Sequence, residues 1–207
     1  MNLRKIIVPL FAIMALWSGF SFMPGEEMLP IGVKAPRADY AMQNIDGSTL
    51  SLEDVKKENG LLVVFSCNTC PFVLAWEDQY PKLGKMAAEN NIGMVLVNSN
   101  AAKRDNADSM EAMEAHYGKA GYNVPYVIDK NSVLANAFGA RTTPHVYLFD
   151  SEMALRYRGS INDKYENKDK VARTPYLKNA IDNLVKGNKI EPAKTKEIGC
   201  SIKRTKA

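Results

Sequence analysis

Cysteine and histidine are scarce in this chain, with three of the first and two of the second among 207 residues. A structural zinc site needs four ligands, usually two pairs of Cys or His. Beyond Cys67 and Cys70 only Cys200 and two scattered histidines remain to complete such a set. Small folds stapled by disulfides carry many more cysteines. Covalent haem attachment requires His directly after a Cys-x-x-Cys pair, and Pro71 stands there instead. No internal repeat is visible, which sets aside solenoids and propellers. Charge of one sign is also lacking. Of the net +4, most comes from Lys189–Ala207, with six Lys/Arg against two Glu, and from Arg4 and Lys5, so the body between is slightly acidic. That is no footprint for nucleic acid, and the basic tail reads as a solvated end.

What the chain does have is Leu61-Leu62-Val63-Val64-Phe65-Ser66-Cys67-Asn68-Thr69-Cys70-Pro71. Five apolar residues predict a buried strand. After Cys70, apolar residues recur at helical spacing: Phe72, Val73, Trp76, Tyr80, Leu83 and Ala87. The two cysteines therefore fall where a strand ends and a helix begins. The first helical turn carries unpaired N–H groups and the positive end of the dipole. Both favour thiolate, the reactive form, and a Cys-x-x-Cys thiol commonly ionises at ~3.5–7.5 against ~8.5 for a free one. The two-residue gap lets the second sulfur close a disulfide with the first. This pattern implies a dithiol–disulfide centre, with Cys67 as the attacking thiolate and Cys70, one turn further in and less exposed, as the resolving thiol. No cofactor beyond the Cys67–Cys70 disulfide is called for.

The first residues read as an export signal over 1–23. Arg4 and Lys5 precede Ile6–Trp17, twelve residues without a charge or strongly polar side chain. That is the length of a signal core and short for a membrane span. Gly19-Phe20-Ser21 offers a small-x-small cleavage pattern, so the mature chain is expected to start near Phe22, in the periplasm or cell envelope of a bacterium. The alternative is an uncleaved anchor over residues 6–23. Residues 24–30 read as a linker, 31–188 as one domain with strands and helices alternating, and 189–207 as the basic tail.

Along the domain, Asp46-Gly47 signals a hairpin turn. Pro81 lies inside the helix after the cysteines and predicts a kink there. Ile92–Asn98 reads as a buried strand. Asp108-x-x-Glu111 reads as a capping box, opening a helix that Gly121 closes. Val124–Ile128 follows as a strand, Ser132–Phe138 as a short helix stopped by Gly139, and His145–Phe149 and Ala154–Ile161 as two adjoining strands. Asn162–Ala172 reads as a charged loop. Thr174 and Pro175 are placed to open a last helix that Gly187 ends. This order predicts a three-layer α/β/α sandwich with a mixed central sheet.

Strand, CxxC, helix, and later Thr142-Thr143-Pro144 before a strand resemble the thioredoxin fold over about Ile31 to Gly187. The resemblance implies that Pro144 is cis and packs against the cysteines, and that Thr143 and Pro144 flank a substrate chain. Cys67-Asn68-Thr69-Cys70-Pro71-Phe72-Val73 together with Gly199-Cys200-Ser201-Ile202-Lys203 resemble the peroxiredoxin-like redoxins of the alkyl hydroperoxide reductase/thiol-specific antioxidant superfamily. A peroxiredoxin has Thr or Ser three residues before its peroxide-reacting cysteine. Three before Cys67 is Val64, and three before Cys70 is Cys67. The peroxiredoxin arginine falls at Pro144, with Arg141 nearby. The buried aspartate of thioredoxin falls at Leu61, so the proton carrier is unassigned, and Glu77 and Asp78 read as a solvated helix face.

The expected activity is thiol–disulfide exchange on a protein or small-molecule disulfide, with a separate reductase restoring the dithiol. Because nothing near Cys67 adds positive charge, a reductant is expected. The alternatives are a thiol peroxidase using Cys67, and a metal-binding or carrier module using Cys67, Cys70 and His145. Both histidines, His145 and His116, otherwise read as structural. Cys200 reads as a structural or free thiol, with a second resolving or a partner-binding role as the alternative.

Overall fold

The computed structural model describes residues 27–205. The proposed signal or anchor and the first part of the linker lie outside them. The sheet is built from β1 (Met42–Asn44), β2 (Thr49–Leu50), β3 (Gly60–Ser66), β4 (Ile92–Asn98), β5 (Tyr126–Ile128), β7 (His145–Phe149) and β8 (Leu155–Gly159). Their order across the sheet is β2-β1-β5-β4-β3-β7-β8. The central β3, β4 and β5 run parallel, while β7 and β8 on one side and β1 and β2 on the other are antiparallel. A separate two-stranded ribbon pairs β6 (Thr142–Thr143) with β9 (Cys200–Ser201).

Every residue of β3 and β4 is buried, as strands covered on both faces must be. Alternation splits them between two cores. Leu62 and Val64 join Cys67, Cys70, Val73, Trp76, Tyr80 and Leu177 on one face; Leu61, Val63 and Phe65 join Leu52, Leu134, Phe138 and Tyr147 on the other. The first face is covered by α2 (Pro71–Leu74), α3 (Tyr80–Glu89), α4 (Met110–Ala120) and α6 (Tyr176–Val185). The second face is covered by α1 (Leu52–Val55) and α5 (Val133–Phe138). Each fully buried Leu, Val or Phe contributes about 1.5–3 kcal/mol relative to exposure. The predicted three-layer sandwich with a mixed sheet is therefore the observed fold.

Local signals fared unevenly. Asp46-Gly47 turns β1 into β2, with Gly47 at φ +85°, and Gly121 and Gly139 end α4 and α5 in the left-handed region. Pro81 does not fall inside the helix that follows the cysteines. The helix after the cysteines stops at Leu74, a 3-10 turn covers Glu77–Gln79, and Pro81 sits in the first turn of α3, where its missing N–H has no partner to lose. The capping box at Asp108 is also absent: Ser109 caps α4, its hydroxyl accepting from Ala112 N–H. Thr174 does not cap α6 either. Pro175 takes the cap position without a side-chain bond, and the N–H groups of Arg173 and Thr174 donate to Asp163 instead.

Candidate active site

The turn from β3 to α2 carries both cysteines, and three bonds to Asn68 hold it. Its backbone N–H donates to Asp108 Oδ1 at 2.9 Å, its Nδ2 donates to the Ala107 carbonyl at 2.9 Å, and its Oδ1 accepts from the Tyr126 hydroxyl at 2.9 Å. Asp108 is wholly buried and also accepts from Asn98 Nδ2 at 2.8 Å and Asn100 Nδ2 at 3.0 Å. These donors satisfy both of its buried oxygens. Sequence reading missed this residue because a Ser beside it does the capping. An Asp preceding an apolar helix gives the same pattern whether it caps that helix or turns inward.

Thr143 and Pro144 come up beneath the cysteines, joined by a cis peptide. Thr143 Oγ1 lies 3.2 Å from Cys67 Sγ, and the Cys70 thiol reaches the Thr143 carbonyl at 3.2 Å. These placements agree with the sequence. The accessibility of the cysteines does not: Cys67 is 2% exposed and Cys70 is 5%, so Cys70 is the slightly more open of the two.

Within the pair, the lowered thiol is Cys70 rather than Cys67. The helix starts at Pro71 with Cys70 as its cap residue, so the helix N-terminus faces Cys70. The neighbouring Cys67, and then Cys200 and the backbone of the turn, draw Cys70 down to about 4 against its burial. The neighbouring Cys70, then burial, raises Cys67. The Thr143 carbonyl accepts from Cys70 only while Cys70 is protonated. The pair thus holds one thiolate between its two sulfurs, with Cys70 drawn down and Cys67 pushed up.

Cys200 is the second departure. The tail does not project into solvent. It pairs antiparallel with β6, setting Cys200 opposite Thr143 and Ser201 opposite Thr142. Residues opposite one another in such a pair point to the same face, and Cys200 packs against the core cluster that holds Cys67 and Cys70. The edge assigned to a substrate chain at Thr143 is therefore occupied by the chain's own tail.

His145 goes the other way. Val146 joins the cysteine core, so His145, alternating with it, faces the opposite core, its ring 4.6 Å from that of Tyr147. Burial, then Arg158 and Arg141, lower it to about 3, which keeps it neutral. A Cys67/Cys70/His145 metal site is ruled out by this geometry, and among the described residues no group of three or more His, Cys, Asp or Glu could hold a metal. Glu77 is not a solvated residue: its carboxylate accepts from Tyr122 at 3.1 Å and lies 2.7 Å from His116 Nε2. Asp78 is exposed beside Lys82, as expected. Glu77 and His116 line a cavity of about 320 Å³ with Lys119, and Asn68 and Thr69 of the cysteine turn form its other wall.

Residues 31–158 match the model of the AhpC/TSA family. Among solved structures, an uncharacterized conserved protein from Geobacillus kaustophilus is 33% identical with a TM-score of 0.80, covering 87% of this chain and 95% of its own. A hypothetical protein from Sinorhizobium meliloti 1021 is 29% identical with a TM-score of 0.80, covering 89% of this chain and 100% of its own. The peroxidoxin BcpB from Mycobacterium tuberculosis, at 12% identity, a TM-score of 0.57 and coverage of 76% and 97%, shares the fold. No curated protein matches the chain.

Proposed function

The chain belongs to the AhpC/TSA family, and on that premise we propose that it is a thiol–disulfide oxidoreductase working through Cys67 and Cys70. The observation that carries this reading is the pair itself: two free, buried cysteines at a strand–helix junction, with Thr143 touching both. Cys70 thiolate attacks one sulfur of a substrate disulfide, forming a mixed disulfide and releasing the other sulfur as thiolate. Cys67 gives up its proton and attacks Cys70 sulfur, which releases the reduced substrate and leaves Cys67–Cys70 oxidised. A separate reductase returns two electrons. The cavity beside Asn68 and Thr69 offers a protein or small-molecule disulfide an approach to the turn.

The donors to Cys70 thiolate exist only in the reduced state, so they stabilise the dithiol and raise the reduction potential. The sequence pointed to a reductant because no positive charge lies near Cys67. The bonds to Cys70 take the place of such a charge, and we set the couple above that of a strong reductant. Export to the periplasm or envelope remains part of the proposal, resting on Arg4, Lys5 and the Ile6–Trp17 run. Intact mass of envelope protein tests it: a chain starting near Phe22 supports export, and a full-length membrane-bound species supports an anchor. The activity is tested by insulin reduction with Cys67→Ser and Cys70→Ser. Loss in both supports the dithiol mechanism, and full activity in either contradicts it.

A further inference from the structure

The tail is fastened to the active site on both sides of Cys200. A Cβ on Gly199 would come within 2.3 Å of the Thr143 carbonyl oxygen, so only glycine allows this approach. Ile202 is buried in the core beneath the opposite sheet face, and its N–H donates to the Arg141 carbonyl at 3.0 Å. Lys203 N–H donates to Asn100 Oδ1 at 2.8 Å, and Asn100 Nδ2 in turn donates to Asp108. Arg204 reaches Asn136 and the Ala140 carbonyl. A solvated end needs none of this. The segment packs Cys200 against the core cluster that holds Cys70, opposite the Thr143 whose carbonyl Cys70 touches, and of the three cysteines Cys200 is the only one not buried.

We propose that Cys200 is a third redox thiol of this centre, which takes over the disulfide as Cys70–Cys200 and presents it at the surface. The inference rests on the dithiol reading above. In the oxidised protein, Cys200 thiolate attacks the Cys70 sulfur of the Cys67–Cys70 bond. A Cys70–Cys200 bond forms, the Cys67–Cys70 bond breaks, and the electron pair leaves on Cys67. The proton released by Cys200 ends on Cys67, and no net electrons are gained or lost. The exchange moves the disulfide towards the more open sulfur, since Cys67 and Cys70 are both nearly closed to solvent and Cys200 is not. It is also gated. In the reduced protein, burial and then the neighbouring Cys70 raise Cys200 to about 11. Once Cys70 is in a disulfide its negative charge is gone, and Cys200 ionises more readily.

The test uses the full-length protein and three variants, oxidised with diamide, trapped with a thiol alkylator at acid pH, digested without reductant and mapped by mass. Wild type is expected to give both Cys67–Cys70 and Cys70–Cys200 peptides, with Cys67 alkylated in the second. Cys67→Ser is expected to lose both remaining thiols as a Cys70–Cys200 disulfide, and Cys200→Ser to form Cys67–Cys70 alone. If wild type gives no Cys70–Cys200 peptide and Cys67→Ser keeps both thiols free, the relay is overturned while Cys67–Cys70 in Cys200→Ser still upholds the dithiol centre. If Cys200→Ser forms no disulfide either, the dithiol reading has failed first. Cys70→Ser is the control, and a Cys67–Cys200 disulfide forming in it as readily would also overturn the assigned order.

Discussion

The backbone N–H of Asn68 donates to the buried carboxylate of Asp108 at 2.9 Å, tying the middle of the cysteine turn to a residue 40 positions later in the chain. Asp108→Asn keeps the size but removes the charge, and its new amide group faces the Nδ2 donors of Asn98 and Asn100. A lost bond to a buried charged acceptor with a donor left unsatisfied costs about 1–3 kcal/mol. The variant is expected to unfold at lower urea, its unfolding free energy reduced by about that amount. Because the Asp108 charge also helps raise Cys67, Cys67 is expected to ionise at lower pH in the variant. Urea melts and the pH profile of Cys67 alkylation check both, and an unchanged Cys67 profile would remove Asp108 from the site.

The thiolate is expected on Cys70. In the reduced protein, alkylation should label Cys70 first and Cys67 slowest, with the Cys70 rate falling only as pH drops through about 4. Stability follows the same group. A thiol ionises at ~8.5 when unfolded, and here the folded value is depressed. The contribution is therefore fully present above that value and is lost progressively as pH falls towards about 4. Reduced wild type should lose more stability than Cys70→Ser across that window. Preferential labelling of Cys67 at pH 6 would reverse the assignment.

Much of this was legible beforehand. Seven-residue β4 was readable in full as Ile92–Asn98, and the cis Thr143–Pro144 bond followed from the family pattern, because a buried strand and a motif are local in sequence. Asp108 and Cys200 were not legible. Each acts across a long separation, and its surroundings in sequence, a capping serine and a basic tail, suggest a solvent-facing role. His145 was misplaced for a simpler reason. Standing next to Pro144 in sequence puts it near the cysteines, but alternation along β7 turns its ring to the other face.

Peroxide is expected to be a poor substrate. Val64 stands three residues before Cys67, and Cys67 itself stands three before Cys70, where a peroxiredoxin has a hydroxyl. Each missing group aimed at charge in the transition state commonly costs ~10²–10³ in rate. Stopped-flow oxidation of the thiols by hydrogen peroxide should fall short of dedicated peroxidases by at least one such factor, and a matching rate would favour the peroxidase reading.

Gly199→Ala is expected to lift the tail. Its Cβ would meet the Thr143 carbonyl carbon at 2.7 Å as well as the oxygen, and backbone cannot yield as a side chain does. Overpacking of this kind costs about 1–3 kcal/mol, here concentrated on the β6–β9 pair. Limited proteolysis should cut near residues 199–204 well before the body of the domain, and Cys200 should alkylate faster. A tail as protected as in wild type would mean that β6 and β9 are not held by this approach.

The most direct test is a glutathione redox titration of the Cys200→Ser protein, read by alkylation and mass without reductant. Cys67 and Cys70 are expected to disappear together from the labelled pool in one reversible two-electron step, with a midpoint above the ~−270 mV of thioredoxin. Two thiols that stay separately labelled across the whole range would contradict a Cys67–Cys70 redox centre.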